Sequence, residues 1–212
     1  MTILKKQTTM ENKKLDFMAT LKETVDYAFK NVGSLLLMAL LYVLTFWIPY
    51  LNVGTTIGLY KGIVEISKGK VVDPMILFDK QNFQNIGNFF LLVGIQFAAI
   101  FPAYLMGVIP GIVLGIAWGF SIYFLIDKGL SPVECLRTSY DATYGEKWTI
   151  FFLYLVLSVI YVILVMIFGL IPKVGWILTI LAFICLLAAL IALQAVLYKH
   201  FSAKAFPEPE EE

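Results

Sequence analysis

Ile109-Pro110-Gly111-Ile112 stands in the middle of a run, from Lys80 to Asp127, within which no residue is charged. The same pair recurs at Ile48-Pro49 and Ile171-Pro172, so the prolines lie 61 and 62 residues apart (49 to 110, 110 to 172). The flanks of the other two are equally apolar: no charge lies between Lys30 and Lys61, and only Lys173 between Trp148 and Tyr198. Proline has no N–H to donate and turns the residue before it away from helix. With a membrane length of apolar sequence on either side, each pair reads as the tip of a helical hairpin. Pro49, Pro110 and Pro172 are therefore assigned as hairpin turns. The expected fold class is all-α: a polytopic integral membrane protein of six transmembrane helices in three hairpins, at about 33–67, 84–127 and 148–199.

Composition agrees with that reading. The chain of 212 residues is 60% hydrophobic and 15% charged, with mean hydropathy +0.84, beyond the average for a soluble domain. A spanning helix needs about 20 apolar residues. The net charge of +1 conceals an asymmetric distribution of the 16 Lys and Arg. Six precede residue 31, four lie between Lys61 and Lys80, three between Lys128 and Lys147, and two from Lys199 onward. Only Lys173 falls beside a hairpin tip. By the positive-inside rule the populated side is cytoplasmic, with both termini there, in a bacterial inner membrane. The first hairpin is short: its arms are Gly33 to Tyr50 and Val53 to Ser67, and the second carries Lys61 and Glu65. It spans by snorkelling and local thinning, or it is re-entrant; both readings stay open.

The domain plan is a flexible cytoplasmic N-terminus at 1–14, one membrane domain at 15–204 and a disordered acidic tail at 205–212. No h-region precedes Gly33, so no signal peptide is expected. Neither the number nor the placement of Cys135 and Cys185 suggests a disulfide or metal site.

The hairpins share more than proline. Phe29-Lys30-Asn31-Val32-Gly33 precedes the first, Phe83-Gln84-Asn85-Ile86-Gly87 the second, and Tyr144-Gly145 the third. The linkers correspond as well: Lys68-Gly69 leads to Asp73-Pro74, and Lys128-Gly129 to Ser131-Pro132. Asp or Ser followed by Pro is an N-cap with proline at the first helical position, and Glu134 completes a capping box. Each unit is thus a short cytoplasmic amphipathic helix followed by a hairpin. Leu15, Met18, Leu21, Val25 and Phe29 form the stripe of the first, and Val133, Leu136, Tyr140 and Tyr144 that of the third. Units of equal orientation are parallel repeats about an axis along the membrane normal.

Two constellations stand out. Gly54, Gly58 and Gly62 recur every four residues after the first proline, and Gly111, Gly115 and Gly119 after the second. Small residues at this spacing let helices approach closely in lipid, either within the chain or between copies of it. Gln96, Trp118 and Ser121 form a candidate polar site within the membrane. A glutamine at depth either joins helices by hydrogen bonds or meets a substrate. No Asp, Glu, Lys, Arg or His falls at the centre of a crossing, which argues against a proton-coupled pump. No catalytic, cofactor or metal site is assigned, because no HExxH, paired buried carboxylates or phosphate-cradling glycine loop occurs. His200, beside Lys199, reads as a solvated interfacial histidine. Trp47, Trp148 and Trp176 read as interfacial belt residues.

One resemblance emerges from the middle of the chain. Ile109-Pro110-Gly111-Ile112, Trp118, the turn Asp127-Lys128-Gly129-Leu130-Ser131-Pro132-Val133-Glu134-Cys135, Ser139 and Gly145-Glu146-Lys147-Trp148 follow one another in the order of a bacterial family signature. They resemble the polytopic membrane domain attached to some glycerophosphodiester phosphodiesterases, and related stand-alone families of unknown function. Cys135 stands where that pattern has Ala, and Glu146-Lys147 where it has Gly-Asn. The resemblance implies the fold and topology, and no catalytic residue is carried over from the phosphodiesterase.

The expected function is a non-enzymatic membrane module that organises lipid or partner membrane proteins. Its partners are membrane lipids, anionic ones included given the basic inner face, and a second copy of the chain or another membrane protein. Nucleic acid is not among them, and no cofactor is expected. The alternative is a transporter or channel for a neutral or amphipathic small molecule or lipid, lined by Gln96, Trp118 and Ser121.

Overall fold

The computed structural model describes residues 14–84 and 86–207. Asn85, residues 1–13 and residues 208–212, which include most of the expected flexible N-terminus and acidic tail, lie outside the described residues. Every regular element among the described residues is helical. In chain order these are α1 (Phe17–Lys30), α2 (Val32–Thr45), α3 (Pro49–Ser67), two 3-10 turns (Pro74–Phe78 and Lys80–Phe83), α4 (Ile86–Met106), α5 (Val108–Trp118), α6 (Ser121–Lys128), α7 (Pro132–Ala142), α8 (Lys147–Gly169) and α9 (Gly175–Ala205).

Each Ile-Pro pair lies at a chain reversal. Pro49 is the first residue of α3, where its missing N–H costs nothing. Pro110 is the third residue of α5, and the reversal falls at Gly107 just before that helix. Pro172 lies in the five-residue link between α8 and α9, where Lys173 takes a positive φ of 69°.

Four helical segments are long and apolar enough to cross a membrane: Ile86–Met106, Val108–Lys128 taken through its break, Lys147–Gly169 and Gly175–Ala205. A fifth exists only if α1 and α2, bent by 85° at Asn31, count together. The chain is therefore an all-helical membrane protein with four to five candidate spans, fewer than the six read from the hairpins. The first hairpin accounts for the difference. α2 has 14 residues, about 21 Å of helix, and α3 bears Lys61 and Glu65 in its last two turns.

The core sits at the base of the hairpins, away from their tips. α9 is its pillar, touching α1, α2, α3, α7 and α8. Its 31 residues run about 46 Å, against roughly 30 Å for a bilayer core. The buried residues concentrate in the half distal to the tip, from Ala188 through Ile191, Ala192, Leu193 and Ala195–Tyr198 to Phe201. On α8 only Ile150 and Leu153, both near its start, are buried. The tip halves carry exposed Val159, Ile160, Ile163, Met166, Ile177 and Ile180. Exposed aliphatic surface of that extent suits contact with lipid or with another membrane protein.

The linker helices pack in an unexpected sense. α1 buries Thr20 and Thr24 and leaves Met18, Val25 and Phe29 at 70%, 50% and 77% exposure. The two threonines are buried without loss, because their hydroxyls donate back to the carbonyls of Asp16 and Thr20. α7 likewise buries Cys135, Leu136, Ser139 and Ala142 while Val133, Tyr140 and the nearby Tyr144 stay exposed. The carboxylate of Glu134 accepts from the N–H of Ser131, as the capping box requires, and from its hydroxyl as well. Apolar residues turned outward next to spanning helices suit a helix lying in the membrane interface.

The linker of the second unit is not an amphipathic helix. Asp73 accepts from the N–H of Met75, and Asp79 six residues later accepts from that of Gln81. Each aspartate caps a new short turn before an α-helix can propagate, leaving two 3-10 turns. Asn82 donates to the carbonyls of Ile76 and Leu77 and ties the turns together.

Candidate functional site

The return arm of the second hairpin breaks at Gly119-Phe120, between α5 and α6, and the carbonyls at the break turn to side chains. The Ser139 hydroxyl of α7 donates to Ala117 O at 2.7 Å and accepts from Phe120 N at 3.2 Å. Thr143 adds a longer bond to Ala117 O at 3.5 Å. Trp118 O accepts from Gln96 Nε2 of α4 at 2.8 Å and from the Ser121 hydroxyl at 2.7 Å. Gln96 Nε2 also lies 2.9 Å from Ser121 Oγ. The fold thus gathers all three residues of the expected polar site, Trp118 by its carbonyl rather than its indole. Their hydrogen-bonding capacity serves the break: polar side chains resatisfy a helix interrupted at membrane depth.

The glycine faces divide. Gly54 and Gly58 accept the 3-10 segment: a Cβ on Gly54 would strike the Phe83 ring, and one on Gly58 would lie 2.6 Å from Leu77 Cα and 2.7 Å from Ile76 O. Gly62 lies against Met38 of α2, and Gly111 against the Tyr104 ring of α4. All four are close contacts within the chain. Gly115 departs from the expectation, since a Cβ there meets nothing within 4 Å, and at Gly119 the nearest neighbour is its own helix's Gly115 O at 3.1 Å. That face looks onto open space.

A groove of 400 Å³ runs between α5 and the start of α8. Ile109, Ile112, Val113 and Ile116 form one wall, and Trp148 and Phe151 the other. Lys147 is its one charged lining residue. The ammonium lies 4.8 Å from the ring centroid of Tyr140 and 5.4 Å from that of Tyr144. No carboxylate among the described residues pairs with it.

Two buried carboxylates, not anticipated from the sequence, close the base of the bundle. Asp127, its side chain 5% exposed, meets Lys68 at 2.7 Å and Lys128 at 3.3 Å, and accepts from the Tyr198 hydroxyl at 2.8 Å. Glu146, at 6%, meets Lys204 at 2.5 Å and His200 at 3.0 Å. His200 is accordingly a partner of a buried carboxylate rather than the solvated histidine expected. Burial resists ionisation of Glu146, but its bonds to His200 and Lys204 outweigh that and hold its carboxyl below the ordinary value. Burial likewise opposes the Lys68 ammonium, and Asp127 with Glu65 outweighs it, raising its pKa. Burial and the charge of Glu134 push the Cys135 thiol up to about 11, away from thiolate chemistry. Both acids flank apolar runs, but their partners lie up to 71 positions away, beyond any local sequence signal. Among the described residues no three or more His, Cys, Asp or Glu gather as a metal site.

Comparison of the chain with family models, with curated proteins and with solved structures finds no match.

Proposed function

We propose that this chain is a non-enzymatic, multi-pass membrane module that holds and organises anionic lipid at the cytoplasmic face of a bacterial inner membrane. In this reading the three hairpins are parallel repeats with both termini cytoplasmic, and the first enters the bilayer less deeply than the others. The exposed apolar residues of α1 and α7 lie in the interface. A second copy of the chain, or another membrane protein, meets the exposed aliphatic faces of α4 and α8.

The observation that carries the reading is the groove with Lys147 in its lining. Its walls are aliphatic and aromatic, suited to an acyl chain, and its one charge is a cation without a carboxylate partner. A lysine near the membrane surface attracts anionic headgroups by about 1 kcal/mol. The test is native mass spectrometry of protein released gently from its own membranes. Phosphatidylglycerol or cardiolipin is expected on the wild type, and is lost in Lys147→Glu and in Val113→Trp, which fills the groove. A wild type without bound lipid, or variants that keep it, overturns the proposal. Flux of a neutral solute through proteoliposomes, abolished by Gln96→Leu, would replace it with the transporter reading.

A further inference from the structure

A second cavity, of 260 Å³, opens where α3, α5, α6, α8 and α9 converge. Gly115 and Gly119 line it from α5 and the break, which accounts for the space found beside Gly115. The hydroxyl of Tyr123, a lining residue only 1% exposed, has no hydrogen-bond partner. Its neighbour Tyr198, stacked at 5.2 Å, gives its own hydroxyl to Asp127 and makes no hydrogen bond with that of Tyr123. Tyr60 stands edge-on to Tyr123 at 5.0 Å. Tyr60, Tyr154 and Gln194 complete the polar lining, all partly buried, and no charged residue lines the cavity. Buried hydroxyls in native proteins are paired, by protein, by water or by a ligand.

We infer that this cavity binds the uncharged, oxygen-rich end of a neutral glycerolipid, of which diacylglycerol is the simplest. Three phenolic hydroxyls and a carboxamide donate to ester carbonyl and hydroxyl oxygens, whereas a phosphate placed there would find no counter-charge. The volume is below that of pockets holding drug-sized molecules, so the glycerol ester enters and the chains do not. The inference goes beyond the anionic lipid of the groove and stands on different residues, Tyr123 foremost.

The experiment is photolabelling of the full chain in phosphatidylcholine nanodiscs with a diazirine-bearing diacylglycerol, followed by peptide mapping. Labelling is expected on the segments holding Gly115–Tyr123 and Tyr154, displaced by unlabelled diacylglycerol and not by phosphatidylglycerol. Tyr123→Phe is expected to weaken it roughly three- to tenfold, the equivalent of one neutral hydrogen bond. Gly115→Leu, whose side chain enters the open space, is expected to abolish it, while Val113→Trp in the groove leaves it unchanged. Labelling that is equal in wild type and Tyr123→Phe, or confined to the tips of α8 and α9, overturns the inference. So does displacement by phosphatidylglycerol, and so does higher thermal stability of Tyr123→Phe without cavity labelling, the signature of a buried hydroxyl with no partner at all. Loss of groove lipid with cavity labelling intact would defeat only the preceding proposal.

Discussion

The hydroxyl of Ser139 donates to the carbonyl of Ala117 at 2.7 Å, joining a linker helix to the broken arm of the second hairpin. Because the same oxygen accepts from Phe120 N, one side chain satisfies a carbonyl and an amide on the two sides of the break. Ser139→Ala leaves both buried groups without their nearest partner, Thr143 being 3.5 Å from the carbonyl. A buried unpaired polar group costs about 1–3 kcal/mol, so the variant is expected to unfold at correspondingly lower denaturant. Fluorescence-detected unfolding in detergent reads this directly, and wild-type stability would show that water takes over.

Gln96 serves the other carbonyl of the break. Gln96→Leu removes its bonds to Trp118 O and Ser121, and is expected to cost about 0.6–2 kcal/mol, the range for interhelical bonds in membranes. Ser121→Ala in the Gln96→Leu background should add less than it does alone, since the bond from Gln96 to the Ser121 hydroxyl is already gone. A double-mutant cycle checks the coupling; strict additivity would mean that the pair does not act together.

Gly58 and Gly115 occupy similar repeats and predict opposite outcomes. A side chain at Gly58 meets backbone, Leu77 Cα at 2.6 Å and Ile76 O at 2.7 Å, which cannot move aside without shifting the 3-10 segment. Gly58→Leu is expected to abolish the monodisperse peak in size-exclusion chromatography. Gly115→Leu is expected to fold, because nothing lies within 4 Å of the new Cβ. Equal damage by both would mean that the space beside Gly115 does not admit a side chain.

Glu146 makes stability depend on acid. Its folded-state pKa lies below the 4.5 of the free side chain. Its contribution is therefore fully present above pH about 4.5 and is lost as pH falls through the lower folded value. Midpoints of thermal unfolding measured down that range should fall in the wild type. Glu146→Gln should be less stable at neutral pH and show a shallower decline below it. A parallel decline in both proteins would assign the acid sensitivity to other carboxylates.

Much of the architecture was legible in order along the chain. The three reversals, the positions of α1 and α7 and the capping box at Ser131 follow from proline chemistry, local capping and a 3.6-residue period, all of which act over a few residues. The polar site was legible too, since Gln96 and Ser121 are conspicuous where everything around them is apolar. Which face of α1 turns inward was not. The apolar stripe suggests burial in a soluble protein, whereas a membrane offers lipid to Met18 and Phe29 and leaves Thr20 and Thr24, self-satisfied by their own helix, to pack on α9. The 3-10 segment was missed because Asp73-Pro74 announces a helix start and Asp79 then restarts the chain.

By itself the amino-acid order determined that the protein is helical, with segments apolar enough to span a membrane and chain reversals at or near Pro49, Pro110 and Pro172. Those features rest on hydrophobicity and backbone covalency, which need no distant partner. Only the tertiary structure decided that Gly58 receives a turn while Gly115 faces a cavity. It also decided that Asp127 and Glu146 are buried at the base among cations, and that Tyr123 is left without a bond. Each of these depends on residues tens of positions apart meeting in space, where packing and desolvation, rather than local propensity, set the energy.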